Sequence, residues 1–240
     1  MQPRFCFMAS GRGVNRQVAH ARVVAHPVVG LLLFGLLLVC PFYSSTVQAQ
    51  QVAGQVERQK GTANRKGASG TSELAEGDRV LVRDEIQTGP EARLQIRFGD
   101  QSVLTIGEKA RITINQFVYA PNGESRQALA IIRGVFRFLT GEISKLMARN
   151  VQFTTPVATI GIRGTEFLGG ELTVGMPAGQ SHYGFQISEG AIEVISPIGS
   201  VVLDEPGEGT FLPLTSIAAP TPVRQWTDAE SAEAEAALEF

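Results

Sequence analysis

The stretch Ala92-Arg-Leu-Gln-Ile-Arg-Phe98 constrains the fold more than any other part of the chain. Ala92, Leu94, Ile96 and Phe98 alternate with Arg93, Gln95 and Arg97. A period of two places one set on a dry face and the other on a wet face, which is a β-strand with one side against a core. Gly99-Asp-Gln-Ser102 turns the chain, and Val103-Leu-Thr-Ile106 returns it as a hairpin. The same pattern recurs. Val52–Glu57 predicts a first strand, Glu76-Gly-Asp78 turns into a short one, and Arg111–Tyr119 alternates again before the turn Pro121-Asn-Gly123. Gln127–Thr140 predicts a strand pair bent at Gly134, Tyr183–Ile187 and Ala191–Ile195 a hairpin across Ser188-Glu-Gly190, and Ser200–Leu203 a further strand after Pro197-Ile-Gly199. Short strands with turns every 8–12 residues or so predict an all-β fold: a sandwich, a jelly roll or a short solenoid of antiparallel strands.

Two internal stretches break the pattern. Arg58–Thr71 is Gly, Ser, Lys and Asn with little apolar content, so a loop is expected there. Glu142–Arg149 is the one internal piece with helical character. At the end, Pro220-Thr-Pro222 reads as a linker, and Thr227-Asp-Ala-Glu230 as a capping box opening an acidic Ala/Glu helix. That helix has almost no apolar stripe, so it is expected to lie loosely on the surface.

The N-terminus has a different grammar. Residues before Val28 are basic and free of acid, Val28–Cys40 is uninterruptedly apolar, and Val47-Gln-Ala49 offers small residues for cleavage. This is the order of a secretory signal cut after Ala49, giving a periplasmic or secreted protein. A retained inner-membrane anchor is the alternative: counted to Tyr43 the run is about 16 residues, against the roughly 17–25 needed to span. The expected division is thus a leader at 1–49, a β domain at 50–214, and a linker with helical tail at 215–240.

Composition narrows the chemistry. Both cysteines, Cys6 and Cys40, fall in the leader, so the exported chain would have no disulfide, thiolate metal site or cysteine nucleophile. Of 21 basic residues, Arg4, Arg12, Arg16 and Arg22 also precede Gln50, leaving 17 against 23 acids. A mildly acidic chain gives no electrostatic case for nucleic acid. His182 stands alone after the leader, without the second ligand a metal needs. Ser181-His182 are strand neighbours pointing to opposite faces, as are Asp84-Glu85 and Asp204-Glu205. No phosphate loop is present, since Gly-Ile-Arg-Gly-Thr165 lacks the Gly-Lys-Ser/Thr ending. Catalytic, cofactor and metal residues are therefore expected to be none. Arg133–Phe138, which interleaves Arg and Phe, reads as a core strand before it reads as a contact for a partner or glycan.

Thr154-Thr-Pro-Val-Ala-Thr-Ile-Gly-Ile-Arg-Gly-Thr-Glu-Phe167 is the stretch left over, a glycine-interrupted strand. Gly161 and Gly164 bracket Ile162-Arg163, a spacing that suits a bulge or a close approach of two backbones. Gly164 suits a positive φ. Arg163 either faces solvent or, partly buried, pairs with a carboxylate such as one near the Gly99-Asp100 turn. With Gly77-Asp-Arg-Val80, then RDEIQTGPEARLQIRFGDQSVLTIG, ahead of it, this stretch resembles the FecR-type periplasmic domain from about Gln51 to about Leu214. Its most specific part is T-P-x-A-x-x-G-I-R-G-T, here Thr155, Pro156, Ala158, Gly161, Ile162, Arg163, Gly164 and Thr165, with Gly99 and Asp100 in the preceding hairpin turn. Where that pattern usually has glycine, this chain has Gln101.

The resemblance implies a non-enzymatic extracytoplasmic β module, used in signalling or envelope assemblies, with an unidentified protein or envelope component as partner. Sheet edges or a turn-rich rim would form its contact surface. Regulators of that family resemble an inner anti-sigma segment, a membrane helix and this outer domain. Here only about 27 residues, basic in character, precede the apolar run, too few for a folded cytoplasmic domain. A carbohydrate-active β-sandwich is the third and least supported reading, since nothing selects a pair of acids for it. Membrane contact is expected only if the apolar segment is retained.

Overall fold

The computed structural model describes residues 50–146 and 148–240. The predicted leader, its apolar run and the cleavage after Ala49 lie outside the described residues.

In chain order, β1 (Val52–Lys60), β2 (Ala63–Gly67), β3 (Gly70–Glu73), β4 (Arg79–Leu81) and β5 (Glu85–Thr88) come first. The hairpin β6 (Arg93–Phe98) and β7 (Val103–Ile106) follows, then β8 (Arg111–Val118), β9 (Arg126–Arg133) and β10 (Phe136–Leu139). Helix α1 (Glu142–Leu146) and a 3-10 turn (Ala148–Asn150) lead into β11 (Val151–Thr154) and the long pair β12 (Thr159–Leu172) and β13 (His182–Ser196). The chain closes with β14 (Gly199–Leu203), β15 (Glu208–Pro213), β16 (Arg224–Gln225) and α2 (Asp228–Ala236).

All sixteen strands belong to one sheet, whose main path runs β3-β2-β5-β8-β9-β11-β12-β10-β7-β6-β1-β4. Only β9 and β11 pair in parallel; the other ladders are antiparallel. The sheet curls about one apolar core. Phe98 of β6 stacks on Phe117 of β8, a strand far from it along the path, with centroids 5.6 Å apart. Just after β4, at the far end of the path, the Arg83 amide donates to the Ile114 carbonyl of β8 at 2.7 Å. Leu94, Ile96 and Phe98 point inward as their alternation demands. Phe136, Phe138, Phe153 and Phe167 form an aromatic centre, with Phe138 and Phe153 4.5 Å apart and tilted to each other. The Arg133–Phe138 segment is thus core, as its composition suggests.

The all-β expectation holds, in the form of a single curled sheet with a short acidic C-terminal helix. Four local expectations do not. Arg58–Thr71 is not a loop: it completes β1 and forms the hairpin β2–β3, which pairs with β5. Both faces of that ribbon are wet, Ala63 being its one buried residue, so no alternation marks it. Strands β9 and β10 do not pair with each other; Gly134, at φ +93°, sends the chain from β9 to β10 with β11 and β12 between them. Tyr183–Ile195 is not a hairpin but part of one 15-residue strand, because both its halves pair with the 14-residue β12 and the register slips at Ser188 within it. Finally, α2 docks.

That docking is mostly polar. The Glu233 carboxylate accepts from the amides of Thr173 (2.8 Å) and Val174 (2.7 Å) and from the Thr173 hydroxyl. The capping box is complete: Thr227 accepts from the Glu230 amide, and Glu230 from the Thr227 amide. Ahead of the helix, Trp226 stacks on Phe211 at 4.9 Å and lies over Gly184 and Gly209, where any Cβ would overlap the indole. Ala234 and Leu238 then pack with Trp226, Leu168 and Leu172 in a second, smaller apolar cluster.

Candidate functional site

The residues of Thr155–Thr165 do two structural jobs and leave one surface. Thr155 is buried and closes the turn from β11 to β12: its hydroxyl accepts from the Ala158 amide at 3.0 Å, and its own amide donates to the Ala158 carbonyl at 2.8 Å. Pro156 is exposed at the tip, and Ala158 is tucked inward. Side-chain capping of a turn by threonine followed by proline is what local propensity favours.

Farther along, Gly164 adopts φ +55° and the β12–β13 register slips between Arg163 and Glu166. Thr165, buried, donates its hydroxyl to the Glu189 carbonyl, and its amide donates to the Thr140 hydroxyl at 2.9 Å. Opposite, Gly190 sits at φ +84°, and a Cβ there would collide with the Gly164 carbonyl. The bulged Gly164-Thr165 of β12 faces the single residue Gly190, a second register slip follows at Ser188, and the backbones come into contact. That is the bulge and close approach the glycine spacing suggests, with Gly190 the partner that spacing alone does not reveal.

Asp100 goes elsewhere. It is fully buried, accepts from the Ser102 hydroxyl at 2.6 Å and amide at 3.1 Å, and receives the Glu142 amide on its backbone carbonyl at 2.8 Å. It therefore ties the β6–β7 turn to the start of α1, beside Gly141, where a side chain would strike Asp100 itself. Gly99 is exposed in that turn. Gln101 takes φ +68°, the left-handed geometry that explains why glycine suits its position.

Arg163 does not reach Asp100. It is exposed and, among the described residues, forms no ion pair. Of the two placements open to it from sequence, the structure has the solvent-facing one. It lines a shallow groove of about 630 Å³ with Arg149, Gly161, Glu193, Val202 and Asp204. The floor is low because Gly161 and Ala191 carry little or no side chain. The register sets Gly161 against Glu193 and Glu193 against Val202, so the groove runs across the outward face of β12, β13 and β14. Val202 leaves 52% of its surface exposed there, and Ile195, farther along β13, 41%.

No group of three or more metal-ligating side chains occurs among the described residues. Asp84 and Glu85 are not neighbours within one strand, since β5 begins at Glu85: Asp84 is buried and accepts the Leu81 amide at 2.8 Å, and burial pushes its pKa up despite that bond and the Arg65 guanidinium. His182 stacks on Phe211 at 4.1 Å, and burial holds its pKa below the usual imidazole value.

Residues 84–193 match the family model described as FecR protein. No curated protein matches the chain. Two crystal structures of a candidate anti-sigma factor from Parabacteroides distasonis ATCC 8503, at 1.65 and 2.50 Å resolution, are similar at 14% identity with a TM-score of 0.44. Each alignment covers 60% of this chain and 59% of that one, so it spans less than two thirds of the length of that protein. The matched segment runs from β5 into β13 and holds Gly99, Asp100 and every residue of Thr155–Thr165. Residues 84–193 are thus the part of the chain that is similar to a FecR domain.

Proposed function

We propose that the chain is an exported, non-enzymatic regulatory module that binds a protein or envelope component in a signalling role. The similarity to a FecR domain at 84–193 carries this reading. That domain type belongs to regulatory proteins of the periplasm and envelope. The arrangement of its residues agrees: the buried ones, Thr155, Thr165 and Asp100, fix turns and bulges, while the groove bearing Arg163, Glu193 and Val202 is left uncovered. A sheet face held rigid from behind is suited to recognition.

No helix among the described residues is long and apolar enough to cross a membrane. A second reading, an anchored relay, rests on the apolar run Val28–Cys40. N-terminal sequencing of the native protein from fractionated cells tests both. A soluble extracytoplasmic chain starting at Gln50 supports the free module; a membrane-bound chain retaining Val28–Cys40 selects the relay. A cytoplasmic chain contradicts both.

A further inference from the structure

Strands β14 and β15 lie end to end along the same edge of β13, and their outer edges differ. That of β15 is closed: β16 pairs with Glu208 and Gly209, the Thr221 amide donates to the Phe211 carbonyl at 3.0 Å, and the Thr221 hydroxyl accepts the Phe211 amide at 2.9 Å. From Ser200 to Leu203, β14 has no backbone partner beyond β13 among the described residues. The usual edge protections are also missing, since β14 holds no Lys, Pro or bulge and keeps an unbroken register through five pairs with β13. The other ends of the sheet are guarded. Strand β3 is short, polar and exposed at all four residues, and on β4 the Arg79 carbonyl accepts from the Arg65 guanidinium at 2.7 Å while the Leu81 amide donates to the Asp84 carboxylate at 2.8 Å.

The side chains along this edge specify a partner. Val202 and Ile195 are the apolar contacts. Glu193, Asp204 and Glu205 are exposed, and none has a cationic partner among the described residues. The turn after β14 adds Glu208, whose carboxylate accepts the amides of Asp204 and Glu205 at 3.1 Å each. Arg163 is one strand further in, separated from β14 by β13. The free backbone edge is therefore flanked by carboxylates.

We infer that β14 is a strand-addition site for an extended segment of a partner protein that alternates apolar with Lys or Arg side chains. Its main chain completes the unpaired edge, its apolar residues cover Val202, and its cations meet Asp204, Glu205 and Glu193. This rests on the protein-binding reading above and names the partner's chemistry.

The test is fluorescence anisotropy of the native protein with three labelled peptides: alternating Val/Lys, alternating Val/Glu, and the Val/Lys peptide N-methylated at alternate amides. The Val/Lys peptide binds, and N-methylation or the Val202→Lys substitution weakens it by about tenfold or more, roughly the loss of one or two good contacts. The double variant Asp204→Lys/Glu205→Lys reverses the preference to Val/Glu, with circular dichroism unchanged. Three results overturn the inference: undiminished binding of the N-methylated peptide, an unchanged preference after charge reversal, or a β14-mediated dimer that the peptide cannot dissociate. If the peptides fail while the protein is exported and holds a partner, only this inference falls. If the protein is cytoplasmic, the broader reading falls whatever the peptides do.

Discussion

Gly190 and Gly164 show how single residues set the geometry of the motif. The bulge at Gly164 comes against the Gly190 backbone, so a methyl at Gly190 meets both an unfavourable φ of +84° and the Gly164 carbonyl. Gly190→Ala is expected to cost about 2 kcal/mol or more, read from urea unfolding. Gly164→Ala, at φ +55° with open space around its Cβ, is the milder change. Gly209 makes a second case. A Cβ there overlaps the indole of Trp226, the only tryptophan in the chain. Gly209→Ala should expel it, shifting its emission to the red while far-ultraviolet dichroism stays β-like. Sequence made some of this legible: Gly164 reads as a bulge because a glycine before a β-branched residue within a strand has few other uses. Gly190 and Gly209 were not legible, because the groups that require them, the Gly164 carbonyl and Trp226, are distant in sequence. Arg163 had two readings for the same reason: whether a carboxylate lies opposite depends on register, and the register places Ala191 there.

At the scale of elements, α2 is the informative case. Its start was readable from Thr227-Asp-Ala-Glu230, but its attachment was not, because Glu233 bonds to backbone amides and Trp226 anchors ahead of the helix. Ala234 and Leu238 supply the apolar contact, too few to mark a stripe in the sequence. The attachment has a pH signature. The Arg224 guanidinium, bonded to Glu230 at 2.6 Å, together with the Thr227 bonds, holds the Glu230 carboxyl down to about 2 from its ordinary 4.5. A depressed pKa means that the charged form stabilises the fold fully above about 4.5 and that this contribution fades as pH falls towards 2. Burial disfavours the charged Glu233, yet its Thr173 and Val174 bonds outweigh that and lower its pKa too, so it acts in the same direction. Burial of His182 opposes its protonation, which adds a loss of stability as pH falls through its ordinary 6.5. Trp226 emission titrated from pH 7 to 2 should therefore report tail release, steepest below about 4.5. In Glu230→Gln the tail should be weaker at pH 7 and the acid step smaller. A titration identical to the parent would mean that the ion pair does not hold the helix.

For the whole molecule, the alternation in β6 and β8 and the turns between them were enough to give an all-β chain, because a half-buried strand writes its faces into a local period of two. The path of the sheet was beyond reach of local pattern. The parallel pairing of β9 with β11 and the insertion of β11 and β12 between β9 and β10 are contacts between distant segments. The wet ribbon β2–β3 joins through backbone pairing with β5 and has no hydrophobic signature at all. This topology is also what leaves β14 open: β16 is short and closes β15 alone. The most direct measurement is photo-crosslinking in living cells with a photoreactive residue at Val202, compared with one at Ser72 on the polar edge strand β3. The account predicts a protein adduct in the extracytoplasmic fraction from Val202 and none from Ser72. Equal crosslinking at both positions, or adducts from Ser72 alone, would contradict it.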